Sequence, residues 1–396
     1  MLNMSYETKR ELVNRWQERY QRSSVQRKSL ILSEFCGLTG HDRKHAIKLM
    51  TGRSGRRKHK AGRKKKYGQD VERVLAEFWI LTDQLCSKLL VEALPEWMPH
   101  YEQQNGKLDF VLRKKLLNIS AASMDRLLAA RRIKTERWRR KGPRPGTLIR
   151  SQIPLRTGPW AIEGPGYLEV DTVAHGGGSM AGDFCWSLNM TDIGTGWTCT
   201  RGIWNCGQHG VVKAVRSVED ELPFALLGFD SDNGHEFINH HLKRYLTDRT
   251  ASITFTRSRP YRKNDNAHIE QKNWTHVRQL LGYDRLGHSE LAPLLNELYA
   301  SAWNPLRNFF MPMMKLVSKE RVGSRYRKKY DRPKTPYQRL LESGKLSRQQ
   351  IKDLKAWKAK LNPLELTYRV EENLKKLWAM THRLDEMIAT RYRRVA

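Results

Sequence analysis

Residues 226–281 constrain the fold of this chain most, because strand and helix patterns alternate along this one stretch. An apolar strand at 225–229 is followed by a helical pattern at 236–248 and by a short strand at 252–256. A second helical pattern covers 267–281 and is preceded by a basic loop. This alternation predicts an α/β fold.

Three further strands are predicted upstream of this stretch. They cover Tyr167–Asp171, Phe184–Thr191 and Trp197–Trp204, with a turn at 192–196 between the last two. A helix at 208–222 leads from them to the apolar strand at 225–229. Three antiparallel strands followed by alternating helices and strands predict a ribonuclease H-like core with a mixed five-stranded sheet.

Three carboxylates lie on elements of this core that can converge. Asp171 ends one strand, Asp232 follows another, and Glu270 lies in the first turn of the 267–281 helix. Phosphodiester cleavage at neutral pH is served by two divalent ions held by hard oxygen ligands. We expect two Mg²⁺ ions, with Mn²⁺ as a substitute, bridged by Asp171 and held separately by Asp232 and Glu270. Asp230 is an alternative to Asp232, and each acid alone also suits a turn, a strand end or a helix N-terminus.

The helix at 267–281 carries one apolar stripe. A wheel of 3.6 residues per turn places one set of side chains on a buried face: Glu270, Asn273, Trp274, Val277 and Leu281. Gln271, Lys272, Thr275 and Gln279 fall on the opposite face. A carboxylate at the edge of a buried stripe needs partners, and metal ions would supply them.

The charge of the chain indicates a polyanionic partner. Lys and Arg number 73 against 41 Asp and Glu, which gives a net charge of +32 and a pI near 10.1. Nucleic acid would neutralise this charge, although a ribosomal-type basic protein is an alternative. The five cysteines form no CxxC pair, and no apolar leader or membrane span is present, so a cytoplasmic protein is expected.

The N-terminal third predicts two helical DNA-binding units. A helix broken at Gly40 and followed by a basic helix has the helix-turn-helix pattern, with Arg43, Lys44 and Lys48 available for DNA. A helical unit at 70–98, ended by Pro95 and Pro99, precedes a second such pattern whose basic helix carries Arg126 and Arg131. The predicted domains are a helix-turn-helix unit at 1–55, a basic linker at 56–68, a second unit at 69–135, a linker at 136–160, the core at 161–330 and a basic helical C-terminal region at 331–396.

Three sequence blocks resemble the DDE integrase core of retroviral integrases and bacterial insertion-sequence transposases. They are LEVDT around Asp171, DSDNGHEF around Asp232 and HIEQKNW around Glu270. The tandem helical units make the chain more similar to the bacterial transposases. The resemblance implies cutting at a transposon end and joining of the 3′-hydroxyl to target DNA by Asp171, Asp232 and Glu270.

Basic residues around the third block are expected to contact DNA. The loop at 259–266, which precedes the helix bearing Glu270, carries Tyr261, Arg262 and Lys263. It resembles the flexible loop that these enzymes place beside the cut DNA. The helix adds Lys272, Asn273 and Arg278. His175 and His268 are further candidates near the site, and burial of Trp274 is favoured over stacking on a base.

The primary hypothesis is a transposase acting as at least a dimer on transposon-end and target DNA, associated with the nucleoid when bound, with the need for a helper ATPase left open. Two alternatives remain. One is a catalytically inactive DNA-binding regulator, and the other is a ribonuclease H-like nuclease without strand transfer.

Overall fold

The computed structural model describes residues 6–52, 66–132, 164–231, 236–237, 240–250, 253–257 and 267–395. The chain forms two compact units, Met1–Lys66 and Tyr67–Ala396. Most of the predicted linker at 56–68 and all of the one at 136–160 lie outside the described residues. Within the described residues, no helix is both long enough and apolar enough to cross a membrane.

The first unit contains three helices, α1 (Tyr6–Gln21), α2 (Val25–Thr39) and α3 (Arg43–Met50). Gly40 ends α2 in the left-handed region at a φ of 71°, which glycine adopts without steric cost. Asp42 begins α3 by accepting a hydrogen bond from the Lys44 amide at 3.0 Å. The three helices share a small core formed by Tyr20, Ile31, Leu32, Phe35, Ala46 and Met50.

The second unit opens with four helices, α4 (Gln69–Leu81), α5 (Ser87–Asn105), α6 (Phe110–Leu117) and α7 (Ala121–Arg132). Their buried side chains join the same hydrophobic core as the sheet. The helical unit expected at 70–98 consists of two helices, α4 and α5, separated where Asp83 and Gln84 take positive φ values. Its expected end at Pro95 and Pro99 is wrong. The chain then continues helically through Pro95 and Pro99, since the burial of Trp97 and neighbouring side chains outweighs the lost backbone bonds.

A five-stranded sheet lies at the centre of this unit, in the order β3-β2-β1-β4-β5. Its strands are β1 (Tyr167–Ala174), β2 (Cys185–Asp192), β3 (Thr198–Trp204), β4 (Gly228–Ser231) and β5 (Thr254–Arg257). β1, β2 and β3 pair antiparallel, whereas β4 is parallel to β1 and β5 is parallel to β4. This strand order and direction confirm the predicted ribonuclease H-like fold with its mixed sheet.

The remaining elements surround the sheet. α8 (Gln208–Glu219) packs against β3, and α9 (His240–Thr247) packs against α8 and β5. A helix at 267–281 begins as α10 (Ala267–Lys272), passes through a π-helical turn (Asn273–Arg278) and ends as α11 (Gln279–Leu281). The C-terminal part contains α12 (Leu291–Leu298), a second π turn (Tyr299–Trp303), α13 (Asn304–Phe310), a hairpin of β6 (Leu316–Val322) and β7 (Arg325–Tyr330), α14 (Pro336–Glu342), α15 (Arg348–Ala359) and α16 (Pro363–Val395). No strand was predicted for residues 316–330, where the β6–β7 hairpin lies.

The free edge of β3 is covered by asparagine side chains of α12 and α13. The three amides each accept from a backbone N–H and donate to a backbone carbonyl of β3, at 2.8–3.2 Å. They pair with alternate residues: Asn296 with Gly202, Asn304 with Thr200 and Asn308 with Thr198. These contacts satisfy the edge backbone that would otherwise pair with another chain.

Candidate active site

Asp171 lies on β1 with both carboxylate oxygens held by hydrogen bonds. Oδ1 accepts from the Thr172 amide at 2.7 Å, and Oδ2 accepts from the Asn273 side-chain amide at 2.6 Å. The residue is half-buried. Asn273 is part of the helix that carries Glu270, and its contact therefore ties that helix to β1.

A chain of side-chain amides fixes the orientation of Asn273. Its Oδ1 accepts from Asn189 Nδ2 at 3.0 Å, and Asn189 Oδ1 in turn accepts from Thr200 Oγ1 at 3.3 Å. Asn189 is also the direct partner of Asp171 in the β1–β2 register. Because the Asn273 oxygen already accepts a bond, its NH₂ group points to Asp171. Asn273 was predicted to contact DNA, whereas in the structure its side chain bonds to Asp171 and Asn189 and holds the Asp171 carboxylate in place.

Glu169 anchors the start of the helix at 267–281. Its carboxylate is 2% exposed, and Oε2 accepts from the Ile269 amide at 3.2 Å. Ile269 directly precedes Glu270, so β1 carries Asp171 and also fixes the backbone next to Glu270. Alternate residues of a strand share one face, so Glu169 lies on the same face as Asp171. That two-residue spacing was the sequence signal that could have identified Glu169. The side chain of Glu270 lies outside the described residues.

The second predicted acid, Asp232, also lies outside the described residues, but the strand before it is well defined. β4 ends at Ser231, which pairs in parallel with Val170, the residue before Asp171. The alternative ligand, Asp230, is 1% exposed, and its Oδ1 accepts from Thr256 Oγ1 at 2.5 Å. This interior position suits a structural role for Asp230 better than an open metal site.

Two residues of the DNGHEF block belong to the described residues. Glu236 is buried, and its Oε1 accepts from Thr172 Oγ1 at 2.7 Å. Thr172 alternates with Asp171 along β1, so this contact lies on the opposite face of the sheet from Asp171. Phe237 is fully buried and packs against Phe229 with ring centroids 6.3 Å apart. No role was predicted for Glu236 from the sequence.

The buried face of the helix at 267–281 differs from the predicted one. Trp274 is 39% exposed, so its expected burial is wrong, and Lys272 and His276 are buried instead. The reason is the π turn at Asn273–Arg278, whose wider i to i+5 bonding changes the order of side chains around the axis. A wheel of 3.6 residues per turn cannot anticipate this change.

The burial of Lys272 contradicts its expected contact with DNA. Its ammonium donates to the Gly196 carbonyl at 3.2 Å and lies 3.5 Å from Met313 Sδ. Burial, together with the charges of Arg307 and Arg339, lowers the pKa of Lys272 to about 7. The group therefore supports the interior of the protein and does not face a ligand.

The other predicted DNA contacts fall into three groups. Arg43, Lys44 and Lys48 are exposed on α3, and Arg126 and Arg131 are exposed on α7. Arg278 is partly buried, donates to the Ala174 carbonyl at 2.9 Å and packs on the Tyr283 ring. Tyr261, Arg262, Lys263 and the side chain of His268 lie outside the described residues.

His175 lies in the interior rather than at an open site. Its Nε2 forms a 2.7 Å hydrogen bond with Ser187 Oγ, which in turn bonds to Tyr299 Oη at 2.7 Å. Burial lowers the pKa of His175 to about 3, so the ring is neutral at physiological pH. This histidine stabilises the packing of β1, β2 and the second π turn.

With this geometry in place, comparison with known proteins assigns the chain to a family. It is 38% identical over 339 residues to "Uncharacterized protein y4rM" of Sinorhizobium fredii, and the match covers 85% of this chain and 96% of that protein. The chain belongs to the y4rM family. No protein-family model matches it.

The solved structures that match this chain resemble it only weakly. The catalytic core domain of BIV integrase covers 46% of the chain and 96% of its own length, at 19% identity and a TM-score of 0.29. The simian T-cell lymphotropic virus intasome, solved in complex with PP2A regulatory subunit B56 gamma, covers 46% of the chain and 58% of its own chain, at 14% identity and a TM-score of 0.26. At such low scores neither likeness carries weight, and the strand order of the sheet assigns the fold.

The part of this y4rM-family site that the structure describes fits a hard metal ion in its chemistry. Asp171 offers carboxylate oxygens, the ligand type that Mg²⁺ prefers. Among the described residues no group of three or more His, Cys, Asp and Glu could hold a metal, but Asp232 and the Glu270 carboxylate do not belong to that set. A complete site would therefore need those two acids.

Proposed function

We propose that this chain is a DNA transposase of the DDE type, which cuts at transposon ends and joins the freed 3′-hydroxyl to target DNA. The observation that carries the proposal is the hydrogen bond from Asn273 to Asp171. It joins the strand that bears one predicted acid to the helix that bears another, Glu270. The parallel pairing of β1 and β4 supports a position near Asp171 for the third predicted acid, Asp232, because β4 ends one residue before it.

The proposed site uses Asp171, Asp232 and Glu270 to hold two Mg²⁺ ions, with Mn²⁺ as a substitute. Bound ions would make the attacking oxygen more nucleophilic and would stabilise the negative charge that develops on the leaving oxygen. Asn273 and Glu169 hold Asp171 and the Glu270 helix in place before substrate arrives, so little reorganisation is needed during the reaction.

The first proposed step hydrolyses one phosphodiester bond, and the second exchanges one phosphodiester bond for another. In the first, water attacks the phosphorus at the transposon end, the P–O3′ bond breaks, and the leaving oxygen takes a proton to become the 3′-hydroxyl. In the second, this hydroxyl attacks a target phosphorus, one P–O3′ bond forms, and one breaks. The energy of the broken bond is retained in the new one, so joining itself requires no nucleotide cofactor.

The partners of this reaction are transposon-end DNA, target DNA and a second copy of the chain. Two ends must be joined together, which requires at least a dimer. The exposed basic residues of α3 and α7 supply the proposed end contacts, and such a protein would work in the bacterial cytoplasm on the nucleoid. The bacterial insertion-sequence type belongs to this proposal as well.

A plasmid carrying the DNA that flanks the coding region provides the test. With Mg²⁺, we expect the wild-type chain to cut this DNA and join its ends to a second plasmid. Asp171→Asn and Glu270→Gln should lose cutting and joining while they bind DNA as before, and Gln271→Ala, an exposed neighbour, should retain both. Cutting that survives in Glu270→Gln would refute the proposed site.

The alternative is a nuclease without strand transfer, which would cut DNA with the same acids but form no new phosphodiester bond. The same plasmid assay separates the two functions. Joined plasmids require the transposase reaction, whereas nicked plasmids without joined products indicate the nuclease.

A further inference from the structure

The β6–β7 hairpin is an exposed basic arm. Every residue of β7 and nearly every residue of β6 is exposed. The tip is a two-residue turn, in which Gly323 has a φ of 61° and Val322 pairs with Arg325. A glycine with positive φ at this position is typical of the tight turns that join twisted strands.

The two faces of this hairpin differ in charge. The register pairs Lys319 with Lys328 and Arg321 with Tyr326, which places these four side chains on one face. The Lys319 ammonium lies 4.6 Å from the centroid of the Tyr326 ring, as expected for neighbours on that face. This face carries three cations and no acid. The other face carries three cations as well, Arg325, Arg327 and Lys329, but they share it with Glu320, the only acid of the hairpin.

The pairing of Lys319 with Lys328 works against the hairpin as an isolated element. Like charges directly opposite one another destabilise a strand pair, and a two-stranded hairpin without a buried face is marginally stable in water. A polyanion placed against this face would remove the repulsion. The charge pattern therefore suits a bound state.

The base of the hairpin is firmly held, which gives the arm a defined origin. Lys315 and Asp331 flank the two strands, and the Lys315 amide donates to Asp331 Oδ1 at 2.7 Å. The Lys315 ammonium donates to the Ile193 and Gly194 carbonyls at 2.7 Å, and Arg339 binds Asp331 Oδ2 at 2.6 Å. The sheet turn and α14 thus fix the root, while the charged strands extend into solvent.

We propose that the hairpin binds duplex DNA, with its cationic face along the phosphates of the major groove. That groove admits a two-stranded β-ribbon, and lysine and arginine supply the contacts that set affinity without reading sequence. The inference rests on the proposed function only in taking DNA as the ligand. It adds an arm to the binding surfaces expected from the sequence, which lay on α3, α7, the loop at 259–266 and the helix at 267–281.

The test is the salt dependence of binding, measured by fluorescence anisotropy with a labelled DNA duplex of arbitrary sequence and the full chain. Each lost phosphate contact lowers the slope of log affinity against log salt by about 0.9. Lys319→Gln with Lys328→Gln should therefore flatten the slope by about 2. Lys352→Gln with Lys355→Gln removes the same charge from the exposed surface of α15 and should leave the slope unchanged.

A charge-retaining variant, Lys319→Arg with Lys328→Arg, should bind as the wild type does. An unchanged slope in the glutamine pair, or an equal loss in the α15 pair, would overturn the inference and indicate another partner or a general charge effect. DNA joining is measured separately. A chain that shows the predicted change in slope but never joins DNA would refute the proposed function and leave the hairpin inference intact.

Discussion

The two faces of the central sheet present opposite chemistry on the same strands. Leu168, Val170 and Phe229 lie on one face and are almost fully buried among apolar side chains. Glu169, Asp171 and Asp230 alternate with them and lie on the other face. One pair of strands thus supplies hydrophobic stabilisation on one side and the candidate site on the other.

The polar face shows how a buried cluster of this kind is tolerated. Burying a carboxylate or amide is costly unless hydrogen bonds replace its water. Here Asn273, Asn189 and Thr200 form a connected series that reaches Asp171, and Thr256 holds Asp230. Such a network fixes side-chain positions more firmly than apolar packing would, and fixed positions are what a metal site requires.

The largest effect on the free energy of unfolding is expected from a substitution on the apolar face of the sheet. Phe229→Ala leaves a cavity beside Phe237 and Phe255 and should lower the free energy of unfolding by about 3–5 kcal/mol. The next residue provides the matched comparison, because Asp230→Asn keeps the volume and should lower it by about 1 kcal/mol. Denaturant unfolding measures both, and equal losses would show that the two faces do not differ in this way.

A smaller effect tests the charge buried beside the polar face. The pKa of Lys272 is about 7 in the folded protein and 10.5 in the unfolded chain. Between these values the unfolded chain binds more protons, so this group makes the free energy of unfolding rise with pH. The burial penalty is present in full below pH 7 and has faded by about pH 10.5.

We therefore expect the stability difference between the wild type and Lys272→Met to shift by about 4 kcal/mol in favour of the wild type from pH 6 to pH 10. Denaturant unfolding at a series of pH values checks this result. A difference that stays constant with pH would show that Lys272 titrates normally.

The smallest of these effects concerns the amide that holds Asp171. Asn273→Ala removes its hydrogen bond to Oδ2 and should weaken Mn²⁺ binding and DNA cutting about 10–100-fold, with a small change in stability. Gln271→Ala, on the exposed side of the same helix, is the control. Binding and cutting that match the wild type in Asn273→Ala would show that this contact does not position Asp171.

The sheet could be predicted from the sequence because its signals are local. Alternating apolar residues marked all five strands to within about three residues, and the order of strands and helices identified the mixed sheet. Asp171 was predicted to end its strand, whereas β1 continues to Ala174 through its pairing with β2. Its carboxylate accepts a hydrogen bond from Asn273 of the helix that bears Glu270. Asn189 could not be assigned, since its role depends on cross-strand register and on which helix covers the face. For Glu169 the two-residue spacing from Asp171 was a local signal, but its contact with the Ile269 amide depends on tertiary structure.

The remaining differences have physical causes that a local pattern does not carry. The π turn at Asn273–Arg278 buries Lys272 and exposes Trp274, and no residue type marks such a turn. The β6–β7 hairpin contains so many Lys and Arg that its alternation is not hydrophobic. The asparagines that cover β3 depend on tertiary contact between α12, α13 and the sheet edge.

The most direct test of the central claim is Mn²⁺ binding, followed through the electron paramagnetic resonance signal of the free ion. We predict that the wild-type chain binds two ions and that Asp171→Asn, which loses the proposed bridging ligand, binds neither with comparable affinity. Asp230→Asn should bind both, because Asp230 is held in the interior by Thr256. Wild-type binding by Asp171→Asn, or loss of binding in Asp230→Asn, would contradict the proposed site.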